Sequence, residues 1–208
     1  MHENLPAQFI VIDGPDGCGK STQIARLAEW LRTRGSEVVT CRDPGGTVIG
    51  DRIRGVLLDH DLSQMDPACE TLLFMASRAQ LMAEVVRPSL AAGRIVLCDR
   101  FVTATCAYQG AAGFEPSRVI ELARLALDDQ WPDLTILLDI DAETGFERIG
   151  SRELDAMESR SLAYHRTVCE MFRSCVDIYP GRVELLDARV DPDVVQQEIQ
   201  EVVTGAIR

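Results

Sequence analysis

Gly14-Pro15-Asp16-Gly17-Cys18-Gly19-Lys20-Ser21 has the spacing GxxxxGK[ST], the arrangement a phosphate cradle requires. Its glycines let successive backbone N–H groups turn inward, and N–H groups at a helix start attract anions. The motif follows the apolar stretch Phe9-Ile10-Val11-Ile12-Asp13 and opens an amphipathic stretch at Lys20. That context separates it from a chance glycine-rich turn. Here Lys20 can reach the β- and γ-phosphates of a nucleoside triphosphate, and the Ser21 hydroxyl can ligate Mg2+. The run from Gly14 to Ser21, with Thr22 after it, is the expected ATP-binding set. Lys20 is also the sole lysine of the chain, so a flexible ammonium is kept only where the motif needs one.

A magnesium ion held by Ser21 needs a second oxygen ligand. Ile95-Val96-Leu97-Cys98-Asp99 and Leu137-Leu138-Asp139 are both apolar runs ending in a carboxylate. In a parallel sheet each acid falls at the carboxyl edge, where ligands bind. Asp99 is the stronger candidate because Arg100 follows it at once, and an acid beside a guanidinium suits Mg-phosphate chemistry. Asp139 reads equally well as a plain strand end.

These residues need a sheet to carry them. Short apolar runs alternate with longer helix-period stretches, the pattern of βαβ units. Strands are predicted at Phe9–Asp13, Glu37–Cys41, Arg94–Cys98, Leu134–Ile140 and Val183–Leu186. The first, third and fourth are nearly continuous in apolar residues, as strands covered on both faces are. Helices are predicted at Lys20–Arg34, Thr47–Leu58, Pro67–Ala92, Pro116–Asp128, Ala142–Ile149, Arg160–Ile178 and Pro192–Ile207, with Pro88 ending or kinking the last turn of the third. The fold class is α/β, a three-layer P-loop NTPase fold with a five-stranded parallel sheet flanked by helices. One domain covers 1–208, and the charged, aperiodic segment Gly150–Ser159 is a candidate lid.

Composition narrows the function. The net charge of −12 disfavours nucleic acid and anionic membrane as partners. No apolar run approaches the ~20 residues of a membrane span. The seven cysteines show no CxxC pair and no zinc-ligand spacing with the three isolated histidines His2, His60 and His165. The polar start MHENLPAQ carries no secretory leader. Free thiols in a reducing cytoplasm are therefore expected. An NKxD-type base-reading motif is absent, and the length leaves no room for the extra domains of motor or transporter ATPases. A small-molecule kinase remains. If its acceptor is a phosphate, arginines should line the second pocket, because their planar fork binds phosphate oxygens in pairs.

Arg42-Asp43-Pro44-Gly45-Gly46 resembles the RxPGG segment of thymidylate kinases. Leu73-Phe74-Met75-Ala76-Ser77-Arg78 resembles the LFxAxR helix of that family. Asp99-Arg100-Phe101 followed by Ala107-Tyr108-Gln109-Gly110 resembles its DR[YFH]…AYQG signature, and Asp187-Ala188 matches a further motif. The resemblance runs from about Phe9 onward. It implies phosphorylation of dTMP by Mg-ATP, in dTTP synthesis. It implies that Phe74 stacks on thymine and that Arg78, Thr105 and Gln109 contact the base. Arg42, Arg54 and Arg100 would take the dTMP phosphate, with Asp43 in the same substrate set. Asp16 would sit near the sugar or the metal shell, and Tyr108 would exclude a 2′-hydroxyl. A homodimer is implied too, with Pro67–Ala92 a possible interface.

The chain departs from the family at several points. Some members carry a catalytic arginine in the P-loop, at the position of Gly17 here. Others supply it from a lid DR pair, and the matching positions read Asp155-Ala156. With Arg148 also nearby, Arg152 or Arg160 is the expected replacement, joining Lys20, Asp99 and Arg100 in the catalytic set. Asp43 replaces a more common Glu, Thr103-Ala104 replaces a usual Asp-Ser, and the 110–116 segment looks shorter than usual. A kinase for another deoxynucleotide, or a nucleotide-binding protein without turnover, stays open at this point.

Overall fold

The structure is a computed structural model and describes residues 6–59, 65–150 and 155–206. Five parallel strands run β1 Phe9–Asp13, β2 Val38–Arg42, β3 Ile95–Asp99, β4 Leu134–Asp139 and β5 Val183–Asp187, in the spatial order β2-β3-β1-β4-β5. The three central strands are buried almost end to end, whereas the edge strands β2 and β5 are half exposed, which is why only the former read as continuous apolar runs. The helices are α1 Lys20–Thr33, α2 Val48–Leu57, α3 Pro67–Leu81, α4 Arg87–Ala91, α5 Val102–Ala111, α6 Pro116–Leu127, α7 Ala142–Ile149, α8 Leu162–Ile178 and α9 Pro192–Ala206.

Alternate residues of each central strand face opposite layers. Phe9, Val11, Val96 and Cys98 pack on α3, α5, α6 and α8 through Leu81, Ala107, Ala123 and Phe172. Ile10, Ile12, Ile95 and Leu97 pack on α1 and α9 through Leu27, Leu31, Ile199 and Val203. The expected three layers are present. All seven cysteines are free thiols, and Cys18, Cys98, Cys106, Cys169 and Cys175 are buried in this packing.

Three details differ from expectation. The helix predicted over Pro67–Ala92 is interrupted by a π-helical turn at Met82–Val86, where the Arg87 N–H bonds the Met82 carbonyl five residues back. Pro88 has no N–H and its ring crowds the preceding turn, so a widened turn before it removes the conflict. The helix α5 was not expected. Its sequence mixes β-branched and small residues with no amphipathic period, because Val102, Thr103 and Thr105 to Gln109 are all buried. Strands β2 and β3 each end one residue later than predicted, which sets Arg42 directly opposite Asp99 in the ladder.

Candidate active site

Strand order reverses at β1, and the carboxyl ends of the strands there form the floor of a cavity of about 500 Å³. The loop after β1 takes positive φ at Gly14 (142°), Gly17 (78°) and Gly19 (95°). At Gly17 more than φ forbids a side chain, because a Cβ there would run into the backbone of Gly145 on α7. The contact is mutual: a Cβ on Gly145 would lie 2.5 Å from the Asp16 carbonyl. The P-loop and α7 therefore touch backbone to backbone.

Lys20 lies inside the loop with its Nζ 3.0 Å from the Gly14 carbonyl and 2.8 Å from that of Pro15. Its side chain also meets the cavity. Ser21 Oγ donates to Asp99 Oδ2 at 3.3 Å, so the two expected metal ligands adjoin each other on the floor. Among the described residues no group of three or more His, Cys, Asp or Glu side chains could hold a metal on its own. An ion at Ser21 and Asp99 must complete its shell with phosphate oxygens and water, which is how Mg2+ is usually held beside phosphates. The residues present fit that ion.

Arg100 stands at the centre. It has a φ of 66°, a conformation that non-glycine residues rarely adopt. Its Nη1 donates to the Gly14 carbonyl at 2.9 Å, its Nη2 bonds Asp16, and its guanidinium lies 5.1 Å from the Tyr108 ring centroid. Burial works against the charge, but the acids Asp16, Asp13 and Asp99 outweigh it and hold the guanidinium ionised. Asp16 also accepts from the Tyr108 hydroxyl at 2.6 Å. Burial alone would raise the Asp16 carboxyl, yet Arg100, Lys20 and Tyr108 draw it below the ordinary carboxylate range. Burial pushes the Tyr108 hydroxyl well up, which keeps it a donor.

The hub beneath Arg100 is Asp13, a residue the sequence presented only as a strand end. Its wholly buried carboxylate accepts from the N–H groups of Gly14 (2.8 Å), Phe101 (3.2 Å) and Ala104 (2.9 Å) and from Thr103 Oγ1 (2.6 Å). It also lies 3.6 Å from Arg100 Nη1. Thr103 is thereby turned away from the base pocket, so its departure from the family pattern bears on the hub. Ala104 and Thr105 do meet the cavity.

Arg54 lines the cavity and donates to the Pro44 carbonyl at 3.1 Å. Burial and the neighbouring Arg42 both lower its pKa. Two guanidiniums held close enough to disturb each other make a seat for an anion. Arg42 itself does not line the cavity in this state; it faces Asp51 at 3.5 Å and is more than half exposed.

The residues expected to meet a base, Phe74, Arg78, Thr105, Tyr108 and Gln109, all line the same cavity. Arg78 is fully buried. Its Nε bonds Asp43 at 2.6 Å, Nη1 lies 3.2 Å from Met75 Sδ, and Nη2 reaches the Phe101 carbonyl (3.0 Å) and Thr105 Oγ1 (2.9 Å). Asp43 also lines the cavity, and one oxygen of its carboxylate fixes Arg78 while the other, Oδ1, is buried without a partner.

The two lid candidates fare differently. Arg152 lies outside the described residues. Arg160 does not reach the cavity: its Nη2 bonds Glu70 at 2.9 Å and its Nη1 the Tyr164 hydroxyl at 3.1 Å. A buried carboxylate holds it on the base side, so it is not placed to act on a transferring phosphate. Arg148 does line the cavity, with Nη1 on the Ala188 carbonyl at 2.9 Å. It lies three residues beyond Gly145 on α7, the same helical face as the P-loop contact. Asp139 is paired with Arg173 at 2.9 Å and serves as a strand end.

Part of the candidate lid is an ordered turn. Asp155 Oδ1 accepts from the N–H groups of Met157 and Glu158, and Glu158 Oε2 accepts from the Asp155 N–H, a reciprocal capping box. His165 on α8 backs this turn, with Nε2 3.2 Å from the Glu158 carbonyl and rings of Phe146 and Tyr164 against it. Burial lowers its pKa, so the folded state holds it neutral while the unfolded chain takes up a proton. Stability from this residue is complete above the unfolded value of about 6.5 and is lost as pH falls below it. Thermal melts between about pH 8 and pH 5 should show a smaller decline for His165→Asn than for the unaltered chain; parallel declines would refute the linkage.

A phosphate cradle, a serine–aspartate metal seat and a separate arginine-lined pocket with an aromatic wall define a P-loop nucleotide kinase whose acceptor is itself a nucleotide. The family model described as thymidylate kinase matches residues 12–199. A thymidylate kinase of Trichlorobacter lovleyi is 46% identical over 96% of this chain and 98% of its own length. One from Exiguobacterium sp. is 41% identical over 94% of this chain and 93% of its own. The crystal structure of thymidylate kinase from Ehrlichia chaffeensis superposes with a TM-score of 0.76 at 30% identity, covering 95% of this chain and 98% of that one. The chain belongs to the thymidylate kinase family.

Proposed function

We propose that this enzyme transfers the γ-phosphoryl group of ATP to dTMP, giving ADP and dTDP for dTTP synthesis. The observation that carries the reading is one cavity with a phosphate cradle at one end, a base pocket at the other, and Arg54 and Arg100 along it. A dTMP phosphate oxygen attacks the γ-phosphorus as the bond to the β,γ-bridging oxygen breaks. A phosphate oxyanion is already a nucleophile, so no general base is needed.

The protein positions the two nucleotides and neutralises charge. Lys20 covers the β- and γ-phosphate oxygens, and Arg100 bridges the acceptor phosphate to the transferring group. Asp16 and Tyr108 hold Arg100 in place, while Arg54, with Arg42 close by, seats the dTMP phosphate. Mg2+ is the expected cofactor, with Ser21 and Asp99 as its protein ligands, and it supplies charge neutralisation on the phosphates. Phe74 stacks on thymine, and Arg148 is the described arginine of α7 available beside the phosphates, where Ala156 leaves the lid pair incomplete.

A cytoplasmic homodimer is included in the reading. Free thiols fit a reducing compartment, and Leu72 on α3 and Leu125 on α6 expose apolar surface a partner copy would cover. No helix among the described residues is long and apolar enough to cross a membrane. Neither nucleic acid nor membrane is expected as a partner of so acidic a chain. A coupled ADP-release assay with Mg-ATP and each of dTMP, dUMP, dCMP, dGMP and dAMP tests the function. Turnover should be greatest with dTMP; no ADP release with any acceptor would overturn the proposal.

A further inference from the structure

Gln109 is wholly buried at the base end of the cavity, and its two amide atoms are treated unequally. Its Nε2 donates to Glu70 Oε2 at 3.0 Å, and its Oε1 is buried without a partner. The orientation follows from chemistry: a carboxylate beside a guanidinium only accepts, so the amide must turn its NH2 toward Glu70. Turning the amide over would set two oxygens against each other. Glu70 cannot swing aside, because Arg160 Nη2 holds its Oε1 at 2.9 Å. Arg160 is in turn braced on the Tyr164 hydroxyl, which donates to the Tyr108 carbonyl at 2.7 Å.

One helical turn before Gln109 on α5, and lining the same cavity, stands Thr105, whose Oγ1 already accepts from Arg78 and so keeps its own proton to give. With Gln109 Oε1 opposite N3 and Thr105 opposite the 4-substituent, the pair matches a pyrimidine with an N3–H beside a 4-oxo group. It opposes cytosine, which offers an N3 lone pair beside a 4-amino group. A site built around buried hydrogen-bonding groups rejects the mismatched partner strongly, because those groups are left unpaired.

We propose that Glu70, held by Arg160, is a positioning residue for base selection: it locks the Gln109 amide with its oxygen toward the base and so excludes cytosine nucleotides. The inference rests on the reading that this pocket takes the dTMP base. It also gives Arg160 a role in specificity in place of the expected one in catalysis.

The test is Glu70→Gln. A glutamine there can offer its own NH2 to Gln109 Oε1, so Gln109 is free to turn its NH2 toward the base. The ratio of kcat/KM for dTMP over dCMP should fall by about 100-fold or more, mainly through KM. The ratio for dTMP over dUMP, which share the N3–H and 4-oxo edge, should stay within about threefold. Equal losses with dTMP, dUMP and dCMP, at an unchanged dTMP/dCMP ratio, would overturn the proposal. Arg160→Gln loosens Glu70 without entering the cavity and should lower the dTMP/dCMP ratio by about tenfold; it decides the question if Glu70→Gln does not fold. An unaltered enzyme that uses dCMP as well as dTMP would instead defeat the reading of the pocket itself.

Discussion

Lys20→Ala should reduce ADP formation by about 10²–10³-fold in kcat while leaving the chain folded. The ammonium is the one lysine charge in the protein, and it lines the cavity at the P-loop, where the proposed transfer would build up phosphate charge. Among the described cations Arg100 also bonds the P-loop, but its guanidinium is taken up by the Gly14 carbonyl and Asp16. Lys20 now bonds the carbonyls of Gly14 and Pro15, so its removal takes one donor from each, while Arg100 still donates to the first and the Cys18 N–H to the second. Each lost bond costs about 0.5–1.5 kcal/mol, a loss a thermal melt would register without abolishing the fold. Coupled-assay kinetics at saturating dTMP, read beside the melt, separate the two effects. Activity within tenfold of the unaltered enzyme would mean that another group carries the charge, and the phosphate-cradle assignment would have to be rebuilt.

Asp13→Ala should be the most damaging single change to stability, at about 3–5 kcal/mol. Three backbone N–H groups and the Thr103 hydroxyl converge on this one carboxylate, and all but the Ala104 N–H belong to buried residues. The loss reaches the site as well. Arg100 holds a left-handed conformation that costs about 1–3 kcal/mol, and the Phe101 N–H on Asp13 is part of what maintains it. Asp13→Asn keeps one acceptor oxygen and should fall between the two. Urea unfolding midpoints, followed by activity on the folded fraction, give the comparison. If Asp13→Ala lies within about 1 kcal/mol of the unaltered chain, the hub carries no such weight.

How much of this was legible beforehand follows from the range of each interaction. The P-loop, Asp99 and Arg100 are local: a few consecutive residues state both the element and the chemistry. Central strands buried on both sides declare themselves by composition, and the fold class follows from their alternation with helices. The helix α5 stayed hidden because it is buried on every side and so has no period. Asp13 reads as any acid closing a strand, and Glu70 carries no sequence signal beyond its place in the first turn of α3. Their partners lie far away: Thr103 is 90 residues from Asp13, and Arg160 is 90 from Glu70. The expected catalytic place of Arg160 rests on nearness in sequence to the lid, which says nothing of the carboxylate that claims it. Arg148 stands three residues after Gly145, but nothing in the sequence shows that Gly145 meets the P-loop.

The backbone contact between Gly17 and Gly145 limits what descent can do with this chain. A replacement at position 17 meets main-chain atoms of α7, so the loop and that helix must part before a side chain fits. A lineage starting here gains a P-loop arginine only with a backbone shift at this contact. Changes of cation near the transferring phosphate are therefore confined to α7 and the segment beyond it, and variation among relatives sharing this contact should concentrate there.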